Sequence, residues 1–255
     1  MYEIEMHEVS DEFARCWQAA GRHIDIQVQG PLNSWIKANL NPPFLEHLSF
    51  RLGNQLFFIR IEDADGKLQV PGSRDGLLSI AEGCKGHACI MPMRYRAGVW
   101  EPHEAGCGLV DARTGRAVEP AAQVSDERIE MTDWEVQDLA VQIVRDHLEK
   151  ANRKLMSSQG NPAVDPSIWF VGDNGPEWVV VRAVRYPTGK AVPPKNWKQI
   201  SEQCRRMSEV GHFASVSVAN ADDAFDANGT VSPGPLWRGH GMLVSFAGLE
   251  PGPDA

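Results

Sequence analysis

The sequence predicts an α/β protein of two fused α-β-β-β-α-β units, with mixed sheets flanked by helices. Helix-type and strand-type patterns follow this order twice along the chain, each time with one extra strand at the end. Short segments recur about 120 residues later, as Ile80–Cys84 does at Ile200–Cys204. A polar, proline-containing stretch separates the halves. We therefore expect units at residues 1–125 and 126–250, followed by a disordered tail at 251–255.

Each unit is predicted to open with a helix and a short strand. Helical patterns at Ser10–His23 and Thr132–Ala151 have acidic first turns, and Thr132 stands three residues before Glu135, the spacing of a capping box. Alternating apolar residues after each helix predict a first strand, at Ile24–Gln29 and at Lys154–Gln159.

A hairpin follows in each unit, at Leu48–Ile61 and Ile168–Ala183. The second strand of each hairpin is rich in β-branched and aromatic residues, and the turn between the strands contains residues that tolerate positive φ. A second helix, a strand and a closing strand complete each unit, at Asp75–Cys84, Ala88–Tyr95 and Gly108–Gly115, and at Lys195–Glu209, Phe213–Asn220 and Gly241–Leu249.

The composition narrows the function classes. A formal net charge of −9 would repel long phosphate tracts, so a protein partner or a small ligand is favoured over nucleic acid. The acidic first residues do not resemble a secretory signal, and no run of 18 apolar residues occurs, so we expect a cytoplasmic protein without a membrane partner. The five cysteines are then expected to be reduced thiols.

The element order resembles the restriction-endonuclease-like PD-(D/E)XK superfamily, mainly over residues 132–220 and more faintly over residues 10–95, as a possible tandem duplication. That resemblance implies a Mg²⁺ site built from a helix acid, an aspartate at the start of the hairpin and an acid-x-Lys pair on the next strand. Carried onto this sequence, the helix acid is Glu135, the aspartate is Asp165, and Arg182 takes the place of the lysine.

Both units depart from the family pattern at the strand acid. Val180 occupies that place in the second unit, and Phe58 occupies it in the first unit, where Arg60 stands at the lysine position. Neither side chain can bind a metal, and arginine is a poor proton acceptor compared with lysine. Loss of the strand acid in both units predicts that they are degenerate and non-catalytic. If activity survives, Glu135, Asp165 and Arg182 are the predicted catalytic residues.

Each of these residues also has a structural interpretation. Glu135 can serve the capping box alone, and Asp165 precedes a proline in a typical turn position. An arginine inside a valine-rich strand needs a partner if it is buried, and Asp165, Asp173 or Glu135 could supply one for Arg182. Arg60 in the first unit raises the same question and is also a candidate binding residue.

Soft potential metal ligands cluster in the first unit. Cys84, His87, Cys89, His103 and Cys107 lie within 24 residues, a density that suits Zn²⁺. Their spacing matches no zinc pattern, and buried free cysteines commonly act as small apolar residues of a core. Zinc binding and core packing therefore both remain open, with packing favoured.

A second candidate binding set lies near the end of the chain. Trp237, Arg238 and His240 occur together among glycines, a combination that could line a ligand groove. The alternative is a tryptophan that packs on a strand beside a glycine bulge.

The sequence favours a non-catalytic binding or interaction protein on a degenerate nuclease-like scaffold. Two alternatives stay open: a divergent nuclease that depends on a divalent metal, and a regulatory module stabilised by zinc. Mg²⁺ or Zn²⁺ would be the cofactor in those two cases, and the sequence favours neither metal.

Overall fold

The structure is a computed structural model, in which the chain divides into two compact units, Met1–Ile129 and Glu130–Ala255. It describes residues 10–28, 33–37, 47–223 and 234–253. Each unit contains one mixed β-sheet with helices packed against it, so the predicted α/β class with mixed sheets is confirmed. No helix in the described part of the chain is long and apolar enough to cross a membrane.

The first unit follows its predicted order, with additional short elements after the fourth strand. Its elements are α1 (Asp11–Gln27), β1 (Asn33–Lys37), β2 (Leu48–Leu52), β3 (Gln55–Asp63), α2 (Arg74–Gly83), β4 (His87–Arg96), β5 (Val99–Pro102), β6 (Leu109–Asp111), β7 (Ala117–Val118) and α3 (Pro120–Gln123). The strand order is β1-β2-β3-β4-β6-β7, and β5 pairs with the second half of β4. Only β3 and β4 run parallel among the described pairs, because the α2 crossover joins them.

The predicted strand at Ile24–Gln29 is wrong over its described residues, since α1 continues to Gln27. Ile24 is fully buried on the apolar stripe of α1, together with Trp17, whereas Ile26 is 63% exposed. The alternation of Ile24 and Ile26 therefore marks two sides of a helix rather than the two faces of a sheet. Residue 29 lies outside the described residues.

The second unit has the predicted α-β-β-β-α-β order, followed by two strands where one was predicted. Its elements are α4 (Asp133–Lys150), β8 (Lys154–Ser158), β9 (Ile168–Val171), β10 (Pro176–Arg185), α5 (Trp197–Cys204), β11 (Gly211–Asn220), a 3₁₀ turn (Ala221–Asp223), β12 (Met242–Phe246) and β13 (Glu250–Pro251). The strand order is β12-β11-β10-β9-β8. As in the first unit, the only parallel pair among the described strands is the one joined by a helical crossover, β10 with β11.

The sheet of the second unit buries both faces. On one face, α4 packs Val136, Val141 and Val144 against Val181 and neighbouring apolar side chains of the strands. The opposite face carries α5, whose Trp197 and Ile200 form a separate core with Trp178 and Val180 of β10 and Phe213 of β11. Because successive strand residues point to opposite faces, each β10 side chain can be assigned to the α4 or the α5 side.

The C-terminal end of the described chain is more ordered than the sequence predicted. Pro251 belongs to β13, which pairs antiparallel with β11 through His212 and Phe213. The prediction of disorder is therefore wrong at Pro251, where the ladder fixes the backbone. Residues 254–255 lie outside the described residues.

Candidate functional site

Glu135, the predicted helix acid, forms a buried ion pair with Arg238. The Arg238 Nε donates to Oε1 of Glu135 at 2.8 Å and its Nη2 donates to Oε2 at 2.9 Å, with the side chains 1% and 9% exposed. The same carboxylate accepts the backbone N–H of Thr132 at 2.8 Å, which completes the predicted capping box of α4. Both carboxylate oxygens of Glu135 are thus occupied by protein donors.

Asp165, the predicted hairpin aspartate, is the partner of Arg182. The Arg182 Nη1 donates to Oδ1 at 2.8 Å and its Nη2 donates to Oδ2 at 2.6 Å, the bidentate geometry of a strong charge-assisted pair. The two side chains are 23% and 12% exposed. Of the three partners that the sequence left open for Arg182, the structure shows Asp165. Asp173 is instead bound by Arg153 in an exposed turn.

The two ion pairs lie on opposite faces of the sheet. Val181 of β10 packs in the core formed by α4, and Val180 packs in the core formed by α5. Arg182 shares the face of Val180, because strand side chains alternate, whereas Glu135 belongs to α4. Asp165 also lies near α5 on this face. Burial and, to a smaller extent, the charge of Asp165 raise the pKa of the Cys204 thiol in α5 to about 12. Glu135 therefore does not converge with Asp165 and Arg182.

This arrangement lacks the features of a divalent-metal site. Mg²⁺ is held by carboxylate oxygens that point at one position, and here each carboxylate accepts from an arginine instead. Among the described residues, no three histidine, cysteine, aspartate or glutamate side chains form a group that could hold a metal ion.

Arg60 of the first unit is also paired within its own unit. Its Nε donates to Oε1 of Glu62 at 3.1 Å, and its Nη groups donate to the carbonyls of Val70 and Pro71. Arg74 donates to both oxygens of Glu62, at 2.9 and 2.6 Å. Burial alone would raise the pKa of Glu62, but the hydrogen bonds and charges of Arg74 and Arg60 outweigh it and lower that pKa. Arg60, 8% exposed, is thus largely occupied by its own unit.

The five predicted zinc ligands do not form a metal-binding group. Cys84 caps the end of α2, whereas Cys89 lies in the core that α1 forms with the sheet. The Cys107 thiol donates to a carboxylate oxygen of Glu119, and His103 lies near a guanidinium N–H of Arg94. These four placements serve packing and local hydrogen bonding.

Burial also keeps the core thiols protonated. Desolvation, the larger cause, and the nearby Asp111 carboxylate raise the pKa of Cys89 to about 12. Desolvation likewise leads the rise in the pKa of Cys107 to about 11, with a contribution from Glu119. Nucleophilic attack requires the thiolate, so these two thiols are poorly suited to that chemistry near neutral pH.

His87, the fifth predicted ligand, has a counterpart in the second unit. Its Nε2 lies 3.1 Å from Oε1 of Gln55, near the start of the central strand β3. In the second unit, Nε2 of His212 lies 2.7 Å from Oε2 of Glu177, near the start of β10. In both units, a histidine at the start of the strand parallel to the central strand thus contacts a side chain of the central strand. This contact accounts for His87 without a metal.

The glycine before each histidine was missed in the sequence. A Cβ on Gly86 would lie 2.8 Å from the ring of Phe58, and one on Gly211 would lie 2.2 Å from the ring of Trp178. Both distances are too short for a side chain, so glycine is required for β4 and β11 to approach the central strands. The repeated Gly-His dipeptide was the available sequence signal.

Gln137 is a second residue that sequence reasoning missed. It is 5% exposed on α4 and binds β10 beyond Val179, where β9 does not pair, because β9 begins at Ile168 opposite Val179. Its Nε2 donates to the carbonyl of Val181 at 2.8 Å, and its Oε1 accepts the N–H of Ala183 at 3.0 Å. The side-chain amide thereby replaces a strand partner.

A cavity of about 230 Å³ opens at the C-terminal ends of β10 and β11. Its charged lining residues are Glu130 and Arg185, and its other walls include Asn220, Val218 and Leu236. In sheets with parallel strands, ligands commonly bind outside the carboxyl ends of those strands. No local sequence pattern marks this cavity, because its lining comes from four separate segments.

The predicted binding set Trp237, Arg238 and His240 does not act as a group. Arg238 is buried against Glu135, so its guanidinium is not presented to a ligand. Trp237 is half-buried and bridges to the backbone of Glu130, whereas His240 is exposed.

The fold and the paired charges define the class: an α/β protein of two units, in the second of which Glu135 and Asp165 are each paired with an arginine. A family model described as a domain of unknown function, DUF8840, matches residues 134–251, which is nearly the whole of the second unit. No curated protein and no solved structure matches the chain.

Proposed function

We propose that this chain is a non-catalytic binding or interaction protein built on two degenerate restriction-endonuclease-like units. The observation that carries the proposal is that Glu135 and Asp165 each bind an arginine through both oxygens, on opposite faces of one sheet. A metal ion would have to displace Arg238 from a pair that is almost fully buried. Freeing one partner of such a pair costs about 3–5 kcal/mol, which disfavours metal capture.

The parallels between the units support a tandem origin. In the parallel ladders, His87 is opposite Phe57 and His212 is opposite Val179. Arg60 and Arg182 each lie three residues further along the central strand. The histidine itself bonds to the start of the central strand in both units, and the glycine before it is needed for close approach. Retention of the arginine without the strand carboxylate fits a scaffold that has kept its packing and not its chemistry.

The charge of the chain supports the class of partner. At a net charge of −9, a protein partner or a small ligand is favoured over nucleic acid, since phosphates would be repelled on average. Across the residues that the structure describes, no three histidine, cysteine or carboxylate side chains form a group that could hold a metal ion, which counts against the zinc-stabilised alternative.

The test measures cleavage of plasmid DNA, single-stranded DNA and RNA in Mg²⁺ or Mn²⁺, with the full chain and with the Asp165→Asn variant. Asp173→Asn is the matched control, because Asp173 also binds an arginine but lies in an exposed turn. We expect no metal-dependent cleavage by any of the three proteins, and no heat of Mg²⁺ binding in calorimetry. Cleavage that Asp165→Asn abolishes and Asp173→Asn preserves would overturn the proposal in favour of the divergent nuclease.

A further inference from the structure

The cavity at the ends of β10 and β11 has the size of a small metabolite. Its volume of about 230 Å³ is below the range of about 300–1,000 Å³ that holds drug-sized ligands. At roughly 30 Å³ per water molecule in the liquid, it would hold about seven or eight waters, or a compound with a similar number of heavy atoms.

Arg185 provides a donor in this cavity. Its Nη2 donates to the carbonyl of Met131 and, at 3.3 Å, to Oδ1 of Asp133, so one side of the guanidinium is fixed at the start of α4. Nη1 is buried and makes no hydrogen bond to any described residue. A buried N–H without an acceptor is costly, and an acceptor that enters the cavity gains that bond.

Glu130 provides an acceptor beside that donor. Its Oε1 lies 3.5 Å from Nη1 of Arg185, which is an electrostatic contact without hydrogen-bond geometry. The Glu130 side chain is 54% exposed, so it can turn toward a ligand without losing a buried position. Donor and acceptor therefore stand side by side at one end of the cavity.

The charge balance separates the classes of ligand. A simple anion at Nη1 would meet the carboxylates of Glu130 and Asp133, and a simple cation would meet the guanidinium of Arg185. A zwitterion satisfies both groups: its carboxylate accepts from Nη1, and its ammonium donates to Glu130. In an α-amino acid these two groups are joined through one carbon, so they lie side by side as the two protein groups do.

The remaining wall favours an apolar side chain. Tyr186 and Pro235, which are half-buried and exposed, respectively, line the cavity beside the core residues Val218 and Leu236. Asn220, the polar residue between them, already donates its amide to the carbonyl of Pro235 and accepts the N–H of Asp222. An aliphatic group on this wall would gain contact without leaving a polar group unpaired.

We infer that this cavity binds a free α-amino acid with a small aliphatic side chain, its carboxylate on Arg185 and its ammonium on Glu130. The inference rests on the proposed function, because it names the ligand class of a binding protein. No residue of this cavity is among the site residues predicted from the sequence, and the matching family is a domain of unknown function.

Calorimetric titration of the full chain tests the inference with four probes. L-leucine carries all three recognised groups, 4-methylpentanoate lacks the ammonium, 3-methylbutylamine lacks the carboxylate, and glycine lacks the aliphatic group. We expect binding of L-leucine, and affinities about ten- to a hundred-fold weaker for the two probes that lose a charged hydrogen bond. Failure of all four probes to bind up to about 10 mM would overturn the inference.

Two variants assign the binding to these side chains. Glu130→Gln should weaken L-leucine at least about tenfold and leave 4-methylpentanoate unchanged or tighter, because the repulsion of its carboxylate is removed. Arg185→Gln should weaken both probes. Since Arg185 also anchors α4, the exposed Glu130 is the decisive position if that variant folds poorly.

Glu209→Gln is the matched control, because Glu209 is an exposed glutamate paired with an arginine, as Glu130 is, and is absent from the cavity lining. L-leucine binding that Glu130→Gln and Glu209→Gln affect equally would overturn the assignment. The two proposals fail separately: metal-dependent cleavage removes the non-catalytic function, whereas absence of amino-acid binding removes only this ligand.

Discussion

The ion pair between Glu135 and Arg238 makes a strong prediction for stability. We consider Arg238→Met, which keeps an apolar stem of similar length and removes the charge. The Arg238 side chain is 1% exposed and that of Glu135 is 9% exposed, so the variant leaves a carboxylate in a dry environment without its arginine. Breaking such a pair from one side costs about 3–5 kcal/mol. Because the N–H of Thr132 still donates to Glu135, we expect the lower end, about 3 kcal/mol.

The double variant Glu135→Gln with Arg238→Met separates the pair from the packing. Gln can still occupy the capping-box position, and no buried charge is left, so we expect it to recover most of the lost stability. The measurement is urea unfolding by tryptophan fluorescence, with hydrogen exchange of the α4 amides to assign the transition to the second unit. As a control, Arg205→Met removes an exposed ion pair and should cost less than about 1 kcal/mol.

Two results would refute this reasoning. If Arg238→Met costs no more than Arg205→Met, the pair contributes no more than an exposed one. If the effects of the two substitutions simply add in the double variant, Glu135 and Arg238 are not energetically coupled.

Three further predictions concern packing and titration. The pKa of Glu62 is lowered in the folded protein. Its contribution to stability is therefore present above the unfolded pKa of about 4.3 and is lost as the pH falls through the folded value. In acid-dependent unfolding, the stability difference between wild type and Glu62→Gln should shrink between about pH 5 and pH 3. Gly211→Ala should cost about 1–3 kcal/mol in urea unfolding, because the new Cβ meets the Trp178 ring at 2.2 Å. The five thiols are buried, with the pKa of Cys89 raised to about 12, so an aromatic disulfide reagent at pH 8 should react slowly until the protein is unfolded.

Each of these three has a clear opposing outcome. Glu62→Gln would contradict the linkage if its deficit stayed constant across the acid range. Gly189→Ala is the control for Gly211→Ala, since a Cβ there meets nothing within 4 Å, and equal losses would exclude the packing explanation. Rapid reaction of a native thiol would show that at least one cysteine is more accessible than its burial indicates.

Local patterns allowed much of the secondary structure to be predicted. The capping box at Thr132 and Glu135 is local, and the structure confirms it. The hairpins were also predictable, since turn residues and β-branched strands are adjacent in sequence. The failure at Ile24 and Ile26 came from a pattern too short to separate period 2 from a helix with one exposed apolar residue.

The site could not be predicted to the same degree. Arg238 lies 103 residues from Glu135, and no local rule connects a loop arginine with a helix acid at that distance. Arg182 was expected to need a partner, but the choice of Asp165 depended on the face of the sheet on which each side chain lies. The role of Gln137 depended on where β9 begins to pair with β10, which is a property of the assembled sheet.

The two hydrogen bonds of Gln137 have a mechanical consequence. They join the second turn of α4 to Val181 and Ala183, so a shift of the helix by one turn, about 5.4 Å, would break both bonds at once. Helix and central strand are therefore fixed to each other along the helix axis. Arg185 lies two residues further along the same strand, at the cavity. A displacement of this end of β10 would therefore also move α4, because the Gln137 hydrogen bonds join the two elements.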